Sequence, residues 1–326
     1  MTRLLACSIA GILVLAAGAA SAQITEAELD QAAKTLAPQV INWRRDFHQN
    51  PELGNRETRT AAAVAAHLKS LGLEVKTGIA HTGVVGVLRG GKPGPVIALR
   101  ADMDALPVKE QVDVPFKSTV TSEYRGEKVG VMHACGHDSH TAILMGAAKA
   151  LASMRKELPG TVMFIFQPAE EGAPEGERGG APLMLEEGVF DIVKPEAAFG
   201  LHVWSALNTG KIGYRSGPFM AAADRFSILV KGEQTHGSRP WSGIDPIVAS
   251  AQIVMGLQTL VSRQIDISAH PAVVSVGAIK GGIRNNIIPD QVEMIGTFRT
   301  FDPAVRQQII DGITRTAKDI ASSSGA

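Results

Sequence analysis

The chain has 326 residues, 32 Lys+Arg against 32 Asp+Glu, 45% hydrophobic residues and two cysteines. That balance excludes a disulfide-stapled mini-protein, a collagen and a disordered tail, and it lacks the basic excess that marks a nucleic-acid binder. The length exceeds what one hydrophobic core usually organises, so two domains are expected.

Met1-Thr2-Arg3, the apolar run Leu4 to Ala17 and the small residues Ala20-Ser21-Ala22 read as a signal peptide over 1–22. The apolar run is shorter than the roughly 20 residues a membrane span needs. The expectation is a secreted or periplasmic protein with no membrane segment in its mature form. Loss of Arg3 would leave 31 basic against 32 acidic groups, and loss of Cys7 would leave Cys135 with no intramolecular partner.

Apolar spacing predicts helices over Glu26–Phe47 and Arg59–Leu71, with Gly72 stopping the second. β-rich runs follow at Leu73–Lys76, Val84–Leu88 and Val96–Leu99. Gly86 to Lys92 matches a phosphate-binding loop, but Pro93 stands where Ser or Thr would hold metal, and Pro93-Gly94-Pro95 breaks the helix that would follow. It reads instead as a hairpin turn. A helix is expected at His140–Met154, a strand at Thr161–Gln167, a helix around Pro182–Gly188 and a strand at Ala197–Val203. Such alternation indicates an α/β domain with a largely buried sheet.

From Arg225 the pattern restarts with a strand (Arg225–Val230), a helix (Pro246–Val261), strands at Val273–Ile279 and Gln291–Thr297, and a helix at Pro303–Ile320. That β-α-β-β-α order is one strand short of a ferredoxin-like unit. No G-x-S-x-G, H-E-x-x-H or G-x-G-x-x-G occurs, so serine-hydrolase, zincin and Rossmann readings lose their support.

The chemistry concentrates at four predicted strand ends, where α/β folds place their ligands. The first, Arg100 to Pro107, presents Asp102 and Asp104. The second, His133 to Thr141, packs three imidazoles, a thiol and a carboxylate into nine positions, a set suited to a borderline transition ion. Cys135 and His137 are the best ligands there, because an i, i+2 pair in an extended loop reaches one centre before a helix starts near His140. Asp102, Asp104 and His140 would orient the ligands from behind. The third, Phe164 to Gly172, ends in Glu170-Glu171, a pair able to divide the work between metal ligand and general base. The fourth closes an apolar strand with His202.

ALRADMDALP (98–107), MHACGHDSHT (132–141), FQPAEEG (166–172), FGLHV (199–203), THGSRPW (235–241) and NIIPD (286–290) together resemble the metal-dependent amidohydrolase family of aminoacylases, hippurate hydrolases and auxin-conjugate hydrolases. The resemblance implies a zinc-exopeptidase-like catalytic domain over 23–218, its mixed sheet between helices, and an inserted ferredoxin-like α+β lid and dimerisation domain over 219–326. It implies Cys135, His137, Glu171 and His202 as ligands of two divalent ions, whether Mn, Zn, Ni or Co being undetermined, and Glu170 as general base. The implied reaction is hydrolysis of the amide of an N-acyl amino acid or small peptide. His236, from the lid of a second copy in a homodimer, would stabilise the oxyanion, with Asn286 assisting and Arg299 a candidate for the substrate carboxylate. Read alone, His236 is a surface residue.

Members of the family continue further, supplying one more ligand His and the last strand of the lid. The expectation is therefore a C-terminally truncated chain, with a catalytically impaired metal-binding or dimerising module as the alternative function. A thiol hydrolase built on Cys135 with His137 or His140 is a third reading, disfavoured by so dense a ligand cluster.

Overall fold

Thr25 begins the first helix with a capping box: its hydroxyl accepts from the Glu28 N–H, and the Glu28 carboxylate accepts from the Thr25 N–H. The computed structural model describes residues 24–326, so the expected leader at 1–22 lies outside the described residues. These fall into two compact units, one ending at Ala206 and the other beginning at Leu207.

The first unit runs α1 (Glu26–Gln49), α2 (Thr58–Ser70), β1 (Glu74–Ile79), β2 (Gly83–Arg89), β3 (Lys92–Asp102), β4 (Thr121–Tyr124), β5 (Glu127–Gly130), α3 (His137–Ser153), β6 (Pro159–Gln167), α4 (Gly180–Glu186), α5 (Val189–Ile192) and β7 (Ala197–Gly200). Its main sheet has the order β1-β2-β6-β3-β7. The β1/β2 and β2/β6 pairs are antiparallel, and β6/β3 and β3/β7 are parallel, so the sheet is mixed as expected.

Period-two alternation builds a core on each face. Val162, Phe164 and Phe166 of β6 join Val84 and Leu88 of β2 in one cluster with Phe47, Leu68 and Met145 from the long helices. Met163 and Ile165 face the other way, with Val85 and Val87, onto Met184 of α4 and Val189 of α5. Full burial of one such side chain stabilises by roughly 1.5–3 kcal/mol. In this unit sequence spacing missed the four-residue helix α5 and the short hairpin β4/β5, four residues a side and too polar to show a core face.

The hairpin expected at Gly86–Lys92 is not formed. β2 and β3 flank β6 and each pairs with it, not with the other. The Gly90 and Gly91 N–H groups donate to the carbonyls of Gly160 and Arg155, and a Cβ at Gly90 would lie 2.2 Å from the Leu158 carbonyl oxygen. The glycines let the chain pass under the start of β6, a contact to a segment far away in sequence.

The second unit contains β8 (Ala222–Lys231), β9 (Thr235–His236), a 3-10 turn (Pro240–Ser242), α6 (Pro246–Gln264), β10 (Ala272–Gly281), β11 (Ile287–Ile288), β12 (Gln291–Thr300) and α7 (Pro303–Ser323). Its three-stranded antiparallel sheet has the order β10-β12-β8. Ala249, Ile253, Leu257 and Leu260 of α6 and Val305, Ile309 and Ile313 of α7 recur at helical spacing and pack on Val230, Val274, Val292, Met294 and Phe298. Asp245 and Asp302 cap these helices by accepting from N–H groups of the first turn, each followed by a proline at the first helical position. No helix among the described residues is long and apolar enough to cross a membrane.

Candidate metal centre

β6, β3 and β7 run parallel, with Asp102 paired to Gln167 and Arg100 to Gly200, so their carboxyl ends finish side by side. Just beyond them come Asp104 after β3, Glu170-Glu171 after β6 and His202 after β7. The loop leading into α3 adds Cys135, and the first turn of α3 adds His137 and His140. One ligand atom each from Cys135, His137 and His202 lies within 4.8 Å of the others, as do those of His137, Glu170 and Glu171, and of Asp102, His137 and His140.

The hydrogen bonds fix what each imidazole can offer. His137 is fully buried, and its Nδ1 donates to Asp104 Oδ1 at 3.2 Å. Its Nε2 is left as a lone pair, buried and without a hydrogen-bond partner, 3.7 Å from Glu170 and 4.0 Å from Glu171. His202 donates from Nδ1 to the Val203 carbonyl at 2.6 Å, turning Nε2 toward Cys135 Sγ at 3.3 Å. His140 is satisfied on both sides: Nδ1 donates to Asp102 at 2.6 Å, and Nε2 accepts from the Val203 N–H at 2.9 Å. It pins the chain beside His202 and has no lone pair to give.

Electrostatics point the same way. Burial acts to raise Asp102, but the His140 hydrogen bond and the neighbouring His137 and Arg100 outweigh it and hold the carboxyl at about 2. Burial and then the Glu171 hydrogen bond push the Cys135 thiol up to about 12. Without a cation that thiol stays protonated; a cation among these donors would release its proton. Burial, followed by the charge of Asp102, raises Glu170, the direction a general base near neutral pH requires. The orphaned His137 nitrogen, the thiol and two carboxylates thus form a donor set suited to divalent transition ions.

Residues 98–324 match the model of Peptidase family M20/M25/M40. The chain belongs to this family. The M20 chain is 45% identical over 296 residues to N-acetylcysteine deacetylase of Bacillus subtilis (strain 168), covering 90% of itself and 74% of that protein. It is 44% identical over 300 residues to thermostable carboxypeptidase 2 of Saccharolobus solfataricus, covering 92% and 73%. A dinuclear metal binding peptidase of the M20 family from Bacillus subtilis superposes with a TM-score of 0.72 at 42% identity, covering 90% and 72%. The M20 chain is a metal-dependent amide hydrolase, and the resemblance read from its six motifs is borne out.

One local expectation for the M20 chain needs correction. His137 is not in an extended loop before a helix at His140; it is the first residue of α3, three positions earlier. Gly136 makes the junction with φ +94°, and a Cβ there would lie 2.3 Å from Val203 Cγ2. A left-handed glycine, not an extended pair, swings Cys135 and His137 toward one centre.

In the second unit, β9 pairs His236 with Ile287, and the Gly237 N–H donates to the Asn286 carbonyl, so His236 and Asn286 are neighbours. Nδ1 of His236 accepts from the Ser238 N–H at 3.1 Å. The Arg299 guanidinium lies on Thr297 Oγ1 and the Phe298 carbonyl of its own strand.

Sequence reasoning missed several residues that hold the M20 site. Asp138 accepts from His48 Nδ1 and Arg44 Nε, both at 2.8 Å, and His48 Nε2 meets Glu110 at 2.8 Å. Glu57 lies against the turn that carries Glu170. Asp138 is the carboxylate of the 133–141 cluster, but Arg44, His48, Glu110 and Glu57 make contacts that span tens of residues along the chain and sit alone in sequence without a motif, so no local signal marked them.

Proposed function

We propose that the chain hydrolyses the amide bond of N-acyl amino acids or small peptides at a centre of two divalent ions held by Cys135, His137, Glu171 and His202. The observation that carries this reading is the buried Nε2 of His137, unpartnered and facing two acids beside a thiol–imidazole pair. A buried nitrogen in that condition costs about 1–3 kcal/mol unless a ligand takes its lone pair. Such ions, when bound, acidify water and polarise the substrate carbonyl.

Glu170 takes a proton from the attacking water and delivers it to the leaving amine nitrogen. Asp104 and Asp102 keep His137 and His140 in the tautomers described, with Nδ1 protonated. His236 of the partner subunit, whose Nδ1 is occupied by Ser238, offers its Nε2–H to the developing oxyanion in a homodimer, and Asn286 of the partner subunit assists. The substrate classes are those in the names of the similar deacetylase and carboxypeptidase.

Elemental analysis of the purified chain, with turnover of a panel of N-acetyl and N-benzoyl amino acids before and after added Mn²⁺, Zn²⁺ or Co²⁺, tests the reading. Bound metal with release of the free amino acid is expected. Bound metal with no hydrolysis of any member would overturn the enzymatic reading and leave a metal-binding module.

A further inference from the structure

Glu57 is a fully buried acid with no part in the ligand set. It immediately precedes α2, the position from which a short polar side chain can cap the helix. It does not do so: Glu52 performs that task, accepting from the N–H groups of Arg59 at 2.9 Å and Thr60 at 2.8 Å. The Glu57 side chain turns away instead. Its Oε1 accepts from the Ala169 N–H at 2.8 Å and its Oε2 from the Thr82 hydroxyl at 2.5 Å.

Ala169 is the residue before the acid pair. It is buried and sits at φ +46°, a left-handed conformation costing a non-glycine residue roughly 1–2 kcal/mol. Something must hold it there. On the far side of Glu170, the Glu171 N–H donates to Asp104 Oδ2 at 2.9 Å, the carboxylate that also orients His137. Two buried carboxylates therefore grip alternate N–H groups of one turn, and Glu170 is the residue between them.

We propose that Glu57 is a positioning residue for this acid pair: by holding the Ala169 N–H it sets the direction in which Glu170 and Glu171 leave the backbone, while touching neither ion nor substrate. This rests on the roles proposed above for Glu170 and Glu171. Burial alone would be served as well by an apolar side chain; the position requires an acceptor of a given length, spanning Thr82 to Ala169.

The test compares Glu57→Gln, which keeps length and an acceptor oxygen, with Glu57→Asp, which keeps charge but withdraws the acceptor by one methylene. The metal-free full-length chain is titrated with Co²⁺ and followed by its thiolate and ligand-field absorption, alongside thermal unfolding and amide turnover. Co²⁺ affinity of Glu57→Asp is expected to fall about 10–100-fold, with kcat reduced at unchanged KM, while Glu57→Gln stays within about threefold of the parent.

Parent-like Co²⁺ binding by a folded Glu57→Asp would overturn the proposal. So would equal losses in both variants that follow the thermal midpoint. If Glu57→Asp fails to fold, Thr82→Val, which removes one anchor of the carboxylate, must still weaken Co²⁺ binding, and parent-like binding there overturns the proposal too. If the parent binds Co²⁺ but hydrolyses nothing, the proposed function fails, while the Co²⁺ series still decides what Glu57 does to Glu171.

Discussion

His137 and Asp138 are neighbours in the first turn of α3 and equally buried, yet their surroundings differ in kind. Asp138 closes a saturated ion cluster. Arg44 and His48 both point at it from α1, and His48 meets Glu110 with its second nitrogen, so both ring nitrogens donate and the imidazole is a cation. The ring of Phe116 covers Arg44 and Arg45 at 5.2 and 5.1 Å from its centroid. His137 is the reverse, with one nitrogen committed and the other held open. A buried polar group whose partners are complete is scaffold; one with a lone pair left over is where a ligand belongs.

Substitutions can break that contrast, and the largest effect is expected on the open side. Glu170→Gln should lower turnover about 10²–10⁴-fold, with bound metal, read by elemental analysis, unchanged. Loss of metal instead would mean that Glu170 is a ligand and not the base.

On the closed side, Asp138→Asn leaves the buried His48 and the partly exposed Arg44 facing an amide and should destabilise by up to about 3–5 kcal/mol, read from urea midpoints. His137→Gln, by contrast, should abolish tight metal binding while destabilising the metal-free protein by no more than about 1.5–3 kcal/mol in the same urea assay, since only one hydrogen bond, to the Asp104 carboxylate, is at stake. Comparable destabilisation by the two would erase the distinction.

Gly136→Ala joins the two sides, because it strains the turn that precedes both residues. A loss of roughly 1–3 kcal/mol is expected, with weaker metal binding, from the left-handed backbone and the Val203 contact.

The smallest effect is a pH dependence. The hydrogen bond to Asp138 raises His48 above its ordinary value, against the opposing effect of burial. A raised folded-state pKa gives stability that is complete below the unfolded value, about 6.5, and is lost as pH rises through the folded one. Asp138 moves the opposite way: burial would raise it, but the His48 hydrogen bond and the neighbouring cations lower it. Its contribution is present above about pH 3.9 and is lost as pH falls through the depressed value. His48→Gln should therefore cost more stability near pH 6 than near pH 9, compared by urea unfolding at both.

Most of the element order and the candidate ligands were legible in sequence because each rests on local pattern. Val162, Phe164 and Phe166 alternate with Met163 and Ile165, and Cys135, His137, Glu170, Glu171 and His202 follow apolar runs or lie in one dense motif. What escaped depends on partners remote along the chain. The Gly90-Gly91 turn was legible as a turn, but not that β6 would come between its strands. Gly136 was legible as a glycine, yet its φ of +94° placed His137 on the helix and not before it. Glu57, His48 and Glu110 carry no local signature, because a carboxylate or imidazole that will be buried reads in sequence like one that will be solvated.

The place of β6 between β2 and β3 has an expected consequence for how the molecule forms. A two-strand hairpin closes in about 1–10 μs, and that shortcut is denied to β2 and β3, which must wait for a strand synthesised later. The main sheet is thus a non-local, slow-forming assembly. Glu170 and Glu171 follow β6 directly in the chain, so the strand that joins β2 to β3 also delivers the acids. Scaffold and reactive groups should arrive in one kinetic step, and φ-values at Met163 and Val87 should then rise together.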